Sequence, residues 1–163
     1  MTKYYIFRHG QTRNSKYHLP YPKDNRSIEI LPESVPALEK LAGYLKNIKS
    51  DYNVSSEYLR CQQSTAIVTK ISGLNFEKDP RLNEKSGESF EDFKKRVKSF
   101  LEDMEKENYK TVVICTHGAV IAAIKSLLLK NSFKRREIVF FPRPGVLLSI
   151  EGKKKEKIDF NSP

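Results

Sequence analysis

The sequence predicts an α/β fold in which a mostly parallel sheet is covered by helices on both faces. Short runs of β-branched and aromatic residues alternate along the chain with amphipathic helical patterns, and this alternation is typical of parallel sheets. Two of these runs, Tyr4–Phe7 and Val112–Cys115, are each followed within two residues by a His-Gly pair. The length of 163 residues fits a single domain over 1–163 that can bury a sizeable core.

Each predicted element follows from its local pattern. Leu38, Leu41 and Leu45 recur at helical spacing in the first predicted helix, and Ser89 or Ser86 caps the third. The predicted helices span 33–48, 57–71, 89–108 and 119–129. The predicted strands span 3–7, 52–55, 74–77, 111–115, 138–141, 146–150 and 157–160. A polar, proline-containing loop from about residue 10 to 31 joins the first strand to the first helix, and a Pro-Arg-Pro-Gly turn separates the runs 138–141 and 146–150.

The composition narrows the class of protein. Apolar residues make up 38% of the chain and charged residues 31%, and no apolar stretch approaches the roughly 20 residues that span a bilayer. The first residues enter a strand almost at once and leave no room for a signal peptide, so we expect a cytoplasmic protein with no membrane partner. Cys61 and Cys115 belong to no C-x-x-C pair, and we expect both to be buried free thiols.

The net charge of +10 raises the question of nucleic-acid binding. Basic clusters occur at 94–96, 134–136 and 153–155; the first is interleaved with acidic residues, and the last fits the turn or edge of a C-terminal hairpin. No helix-turn-helix, zinc-finger spacing or RNA-binding strand motif accompanies them. We therefore expect no specific nucleic-acid partner, and the same positive field can steer an anionic substrate.

The two His-Gly pairs predict a phosphate site. Ligands of open α/β sheets bind beyond the carboxyl ends of the strands, so His9 and His117 can share one pocket if their strands are neighbours. Arg8 offers a bidentate fork to a phosphate, and a helix that starts after Gly118 offers free backbone N–H groups. The histidines, which include His18, lack metal-ligand spacing, and the arginines would repel a cation. We expect no metal and no cofactor.

Five segments in order resemble the histidine phosphatase superfamily, the group that contains cofactor-dependent phosphoglycerate mutases and many small phosphatases. They are FRHGQT at 7–12, SSEYLRCQQST at 55–65, RLNE at 81–84, GESFEDFKKRV at 87–97 and CTHGAV at 115–120. The resemblance touches every major part of the chain. It implies a phosphoglycerate mutase-like fold, a three-layer α/β/α sandwich around a mainly parallel central sheet.

The resemblance also implies a role for each matching residue. His9 is the expected nucleophile, which takes the phosphoryl group as a phosphohistidine. Arg8 and Arg60 are expected to clamp the phosphate oxygens, where guanidinium groups stabilise the charge of the transition state. His117 is expected to hold a phosphate oxygen. Glu84 is the expected general acid toward the leaving oxygen and base toward water, which requires a raised pKa.

The backbone and loop around these residues complete the expected phosphate site. Gly118 lets the backbone approach the phosphate at the start of its helix. Family members often have an asparagine six residues after the nucleophile; here Ser15 stands at that position and Asn14 one residue before it, and both stay candidates for phosphate binding.

A further departure concerns the lid. Only Lys85 and Ser86 separate Glu84 from the GES segment at 87–89, which leaves out much of the usual lid and the mutase signature. An open pocket favours hydrolysis over transfer, so we expect a phosphatase of small phosphomonoesters and no mutase. Two alternatives stay open: a phosphatase of protein phosphohistidine, whose known members are of similar size with a minimal lid, and a non-catalytic binder of phosphorylated ligands on the same fold. The four intact residues Arg8, His9, Arg60 and His117 favour an enzyme.

Overall fold

The computed structural model describes residues 1–162 and confirms the α/β fold. The strands are β1 Lys3–Arg8, β2 Tyr52–Ser55, β3 Glu77–Lys78, β4 Thr111–Thr116, β5 Val146–Glu151 and β6 Lys154–Asp159. The α-helices are α1 Arg13–Lys16, α2 Val35–Leu45, α3 Leu59–Ser72, α4 Phe90–Lys106 and α5 Gly118–Lys130. Three short 3₁₀ helices lie at Pro32–Ser34, Pro80–Leu82 and Arg135–Val139.

All six strands belong to one sheet in the order β3-β2-β4-β1-β5-β6. The first four in this order run parallel to one another, and β5 and β6 are antiparallel additions at one edge. Strand β1 pairs directly with β4, with Arg8 opposite Thr116 at their carboxyl ends. The His9 backbone N–H donates to the Thr116 carbonyl at 3.1 Å. The two His-Gly pairs therefore leave the sheet side by side.

The sheet is the middle layer of three. Residues of one strand alternate between its faces. Tyr4 and Ile6 of β1 join a buried core with helices α4 and α5, whereas Tyr5 and Phe7 join a second core with α2 and α3. This arrangement confirms the sandwich that the resemblance implies. None of the described helices is long and apolar enough to cross a membrane.

Most predicted elements are found close to their predicted bounds. Ser89 caps α4, because its hydroxyl accepts the Asp92 N–H at 3.1 Å. The loop over 10–31 is irregular apart from the short helix α1. Cys61 and Cys115 are both buried and free, as predicted. Residues 153–155 form the turn and edge of the β5–β6 hairpin, also as predicted.

The strand predicted at 138–141 is wrong. The first two residues of this segment belong to the 3₁₀ helix Arg135–Val139. In that helix the Glu137 carboxylate accepts the Lys134 backbone N–H at 2.8 Å and also pairs with Lys130 of α5. These contacts stabilise a turn, and Val139 stays 65% exposed instead of joining the sheet. The strand predicted at 74–77 is also shifted. In the structure this strand is the two-residue β3. The last strand, β6, begins three residues before its predicted start at 157.

Candidate active site

The carboxyl ends of β1 and β4 bring the predicted site residues together. His9 follows β1, and His117 immediately precedes α5; their ring centroids lie 5.2 Å apart. Arg60 reaches the same place from the first turn of α3. All three side chains are fully buried, although histidine and arginine are usually exposed.

His9 is held as a neutral imidazole with an unprotonated Nε2. Its Nδ1 donates to the Gly10 carbonyl at 2.8 Å, so the ring proton lies on Nδ1. Its Nε2 accepts from Arg60 Nε at 3.3 Å. Burial, together with the positive charges of Arg8 and Arg60, holds the pKa of His9 well below its ordinary value. His9 Nε2 is therefore unprotonated and directed at the guanidinium of Arg60.

Two aromatic rings and one asparagine surround the Arg60 guanidinium. The ring centroids of Tyr21 and Tyr58 lie 4.5 and 5.2 Å, respectively, from the central carbon of the guanidinium, Cζ. Its Nη1 donates to the backbone carbonyl of Asn25 at 2.6 Å, and its Nη2 donates to the Asn25 side-chain oxygen at 2.9 Å. The same Nη2 lies 3.6 Å from Glu84 Oε2.

Arg8 lies at the end of β1 with its guanidinium over the ring of Phe141, 5.0 Å from the centroid. Its Nε is buried and has no hydrogen-bond partner among residues 1–162. A buried N–H without an acceptor is costly, so Arg8 presents a donor that an anion would satisfy.

His117 presents a second unsatisfied nitrogen. Its Nε2 lies 2.8 Å from Ser56 Oγ, whereas its Nδ1 is buried without a hydrogen-bond partner in the described part of the chain and lies 3.7 Å from Glu84 Oε2. Burial lowers the pKa of His117 well below its ordinary value, and the nearby His9, Arg60 and Arg8 add to this effect. His117 is therefore neutral.

Glu84 faces both Arg60 and His117 from the segment that precedes α4. Burial raises the pKa of its carboxyl, and this effect outweighs the opposing charge of Arg60. Its backbone carbonyl accepts from Arg96 Nη2 at 3.2 Å, and the Arg81 carbonyl accepts from Arg96 Nη1 at 2.7 Å. A raised pKa is what a general acid near neutral pH requires.

Asn14 and Ser15 make their hydrogen bonds elsewhere. Asn14 Nδ2 donates to the Pro20 carbonyl at 3.0 Å. Ser15 forms a capping box with Thr12, whose backbone N–H donates to Ser15 Oγ at 2.8 Å. In residues 1–162, no hydrogen bond joins either side chain to the two histidines or to Arg8 and Arg60. Their contact with phosphate stays a prediction.

Five residues that contact the cluster were not predicted as site residues: Tyr21, Asn25, Ser56, Tyr58 and Phe141. Ser56 and Tyr58 lie inside the segment that carried the family resemblance, and this was the available signal for them. Nothing in the local sequence marks the other three.

A cavity of about 440 Å³ adjoins the cluster and is lined by Lys23, Asp24, Arg26, Tyr58 and Ser86. Tyr58 connects the two, because its ring packs edge-on against His117 at 5.1 Å. A larger groove of about 570 Å³ lies between α4 and α5, and neither cavity is lined by a predicted site residue. No group of three or more His, Cys, Asp or Glu side chains in residues 1–162 is arranged to hold a metal ion.

The fold and this cluster of histidines and arginines are typical of one class of protein, and comparison of the sequence with protein-family models identifies that class. The model of the histidine phosphatase superfamily (branch 1) matches residues 4–87 and 83–156, and the chain belongs to this family. A broad-specificity phosphatase of Saccharomyces cerevisiae is 27% identical over 174 aligned residues, which cover 84% of this chain and 74% of that protein. A Hydrogenobacter thermophilus protein named "Putative phosphoserine phosphatase 2" is 33% identical over 75 residues, 45% of this chain and 37% of that protein.

Solved structures show the same fold. The α-ribazole phosphatase of Shigella flexneri superposes with a TM-score of 0.78 at 18% identity, over 99% of this chain and 96% of that one. The protein histidine phosphatase SixA, solved with tungstate, superposes with a TM-score of 0.69 at 15% identity, over 96% of this chain and 94% of that one. At these identities the likeness establishes the fold alone.

Proposed function

We propose that this protein is a metal-independent phosphatase that hydrolyses small phosphomonoesters through a phosphohistidine on His9. The observation that supports this most strongly is the buried, neutral His9 Nε2 beside Arg60, with Arg8 Nε and His117 Nδ1 left unsatisfied nearby. A phosphate bound there would supply oxygens to these donors and its phosphorus to the lone pair of His9.

In the first step, His9 Nε2 attacks phosphorus in line with the ester oxygen. The P–N bond forms as the P–O bond breaks, and the leaving oxygen takes the proton of the Glu84 carboxyl. The guanidinium groups of Arg8 and Arg60 stabilise the charge that spreads over the equatorial oxygens. The single hydroxyl proton of Ser56 has two acceptors within reach, His117 Nε2 at 2.8 Å and Asn83 Oδ1 at 3.1 Å. When it is donated to His117, the ring proton of His117 lies on Nδ1 and can be donated to a phosphate oxygen.

In the second step, water attacks the phosphohistidine. The Glu84 carboxylate takes a proton from the water, a P–O bond forms, and the electron pair of the P–N bond returns to His9 Nε2. Inorganic phosphate leaves, and the starting protonation states are restored. The short connection between Glu84 and α4 keeps the cavity open to water, which favours this hydrolysis over transfer to a second substrate.

The same open cavity favours a second candidate function, the hydrolysis of protein phosphohistidine. A phosphorylated imidazole on the surface of another protein can reach a site that lacks a large lid. Imidazole is a good leaving group, so this reaction depends less on the Glu84 proton. The substrate comparison with Glu84→Gln in the Discussion separates the two candidates.

The covalent intermediate is the decisive test. Neutral quenching during turnover of a ³²P-labelled phosphomonoester should trap an acid-labile, base-stable label, which His9→Ala should abolish together with hydrolysis. His18→Ala is the matched control, because His18 is exposed in the loop before α2, and it should keep both label and turnover. Near-normal turnover by His9→Ala would refute the mechanism.

Two further measurements address the remaining parts of the proposal. Turnover should persist in excess chelator, because the positive charge of the site comes from arginine side chains. Loss of activity that a divalent ion restores would contradict metal independence. Tight binding of phosphomonoesters without any turnover would instead identify a non-catalytic binder.

A further inference from the structure

The Arg60 guanidinium uses its two accessible edges for different partners. The side edge, formed by Nε and Nη2, faces His9 Nε2 at 3.3 Å and Glu84 Oε2 at 3.6 Å. The end edge, formed by Nη1 and Nη2, is held by Asn25, whose backbone carbonyl and side-chain oxygen accept at 2.6 and 2.9 Å. Because the guanidinium is planar and rigid, two bonds on one edge fix the direction of the other.

We propose that Asn25 is a positioning residue that directs the side edge of Arg60 at the phosphoryl group during transfer. This inference rests on the proposed function. Asn25 accepts one N–H from each terminal nitrogen, which leaves the second Nη2–H and the Nε–H on the side edge. The Nε–H donates to His9 in this structure, and a bound phosphate would accept both side-edge protons once the His9 lone pair attacks phosphorus. Without the Asn25 side chain, only the backbone carbonyl of residue 25 would accept on the end edge, and one hydrogen bond does not fix the orientation of the guanidinium.

Asn25 is itself firmly held. It is 6% exposed, and its Nδ2 donates to the Pro22 carbonyl at 3.0 Å, which directs its side-chain oxygen at Arg60. The next residue is also tied to the start of α3, because the Arg26 carbonyl accepts the Leu59 N–H at 2.9 Å. The contacts of Asn25 and Arg26 therefore join the irregular loop before α2 to the helix that carries Arg60.

The neutrality of Asn25 serves the proposed chemistry. A carboxylate at this position would also accept from Arg60, but its negative charge would offset the positive charge meant for the phosphate. It would also offset one cause of the low pKa of His9, since Arg60 contributes to that lowering. Asparagine orients the arginine and leaves the full charge available.

The experiment compares Asn25→Leu and Asn25→Asp, each alone and with Arg60→Met, using nitrophenyl phosphate as substrate and orthovanadate as the bound probe. Asn25→Leu should lower kcat/KM and weaken vanadate binding by about 10- to 100-fold, the range for losing a hydrogen bond to a charged group. In the Arg60→Met protein it should cause no further loss, because Asn25 acts through Arg60. Ser27→Ala, an exposed neighbour in the same loop, is the control and should leave both values unchanged.

Asn25→Asp gives a readout that a purely structural role would not move. It should retain more activity than Asn25→Leu, and it should shift the acid limb of the kcat/KM profile to higher pH, because the carboxylate raises the pKa of His9. This shift remains informative even if Asn25→Leu is too unstable to assay.

Three results would overturn the proposal. They are an unchanged kcat/KM for Asn25→Leu, an equal loss in the Arg60→Met background, and an acid limb that Asn25→Asp leaves in place. Failure of the proposed function would look different, because Arg60→Met and His9→Ala would then themselves leave turnover intact.

Discussion

Replacing Gly118 by alanine probes the close packing at the start of α5. A Cβ at this position would lie 2.4 Å from one ring carbon of Phe141 and 2.6 and 2.7 Å from two others. Carbon atoms in contact are about 3.5–4.0 Å apart, so the ring must move by about 1 Å. Because the Phe141 ring lies under the Arg8 guanidinium, the displacement should reach the phosphate site.

The expected effect on stability is small and the effect on binding larger. Overpacking costs about 1–3 kcal/mol, and the lower end applies because Phe141 is partly exposed in an irregular segment. Loss of the contact between Phe141 and the desolvated Arg8 removes about 1–2 kcal/mol, which corresponds to roughly 10-fold weaker vanadate binding. Urea unfolding and vanadate titration at one pH measure the two effects separately.

A double-mutant cycle and a second glycine provide the controls. In a Phe141→Leu background, Gly118→Ala should cost little more, because the smaller side chain leaves room for the methyl group. Gly43→Ala in α2 meets no atom within 4 Å and should stabilise the protein by about 1 kcal/mol without changing its kinetics. Wild-type vanadate affinity in Gly118→Ala, or an equal loss in the Phe141→Leu background, would refute this reasoning.

Three further outcomes follow from the site. Glu84→Gln should slow hydrolysis of alkyl phosphates by about 100-fold or more. It should cost little with nitrophenyl phosphate, whose phenolate leaves without a proton, or with phosphohistidine, whose ring leaves as neutral imidazole when its other nitrogen is protonated; equal loss on all three would contradict the acid role. Burial lowers the pKa values of His9 and His117, so below about pH 6.5 these two side chains bind protons in the unfolded state but not in the folded state. The free energy of unfolding should therefore fall by about 2–3 kcal/mol between about pH 7.5 and 5.5. Glu84, whose pKa burial raises, opposes this trend as a single group; urea unfolding of His117→Asn should show a shallower pH dependence, and an unchanged slope would contradict the assignment. Replacing Lys23 and Arg26 by glutamine should raise KM most for substrates with a second anionic group, because these two cations line the cavity without a salt bridge in residues 1–162; an equal rise for nitrophenyl phosphate would exclude that role.

Local sequence patterns were sufficient for the elements that carry the site. The buried strands β1 and β4 were predicted because β-branched and aromatic residues favour strands. Their His-Gly ends were expected to meet if the two strands were neighbours, and β1 does pair with β4. The run Ile138–Phe141 has the same β-forming composition. There, however, the Glu137 side chain contacts Lys130 of α5 and the backbone of Lys134, and these contacts stabilise a 3₁₀ turn. A hydrophobicity pattern does not predict such polar contacts.

Asn25 lies beyond local prediction for a related reason. It is 35 residues from Arg60 in the chain, and its neighbours follow neither helical nor strand spacing. Only the folded structure shows that a polar loop residue is buried and bonded to a guanidinium. Family resemblance supplied the residues that we propose to contact phosphate, whereas Asn25, which we propose to orient one of them, is found only from tertiary contacts.

The charge balance of the site links its stability to its chemistry. The Arg60 guanidinium is buried and Arg8 is partly buried. Within residues 1–162 the one carboxylate within 4 Å of either guanidinium is Glu84, at 3.6 Å from Arg60, and burial favours its protonated form. The other acceptors around Arg60 are neutral: the Asn25 oxygens and His9 Nε2. A carboxylate partner would have stabilised the empty fold more, because buried unpaired charge is costly. The same partner would offset the positive charge of the site. Its absence therefore lowers the stability of the fold and favours binding of the phosphate dianion in the function that we propose.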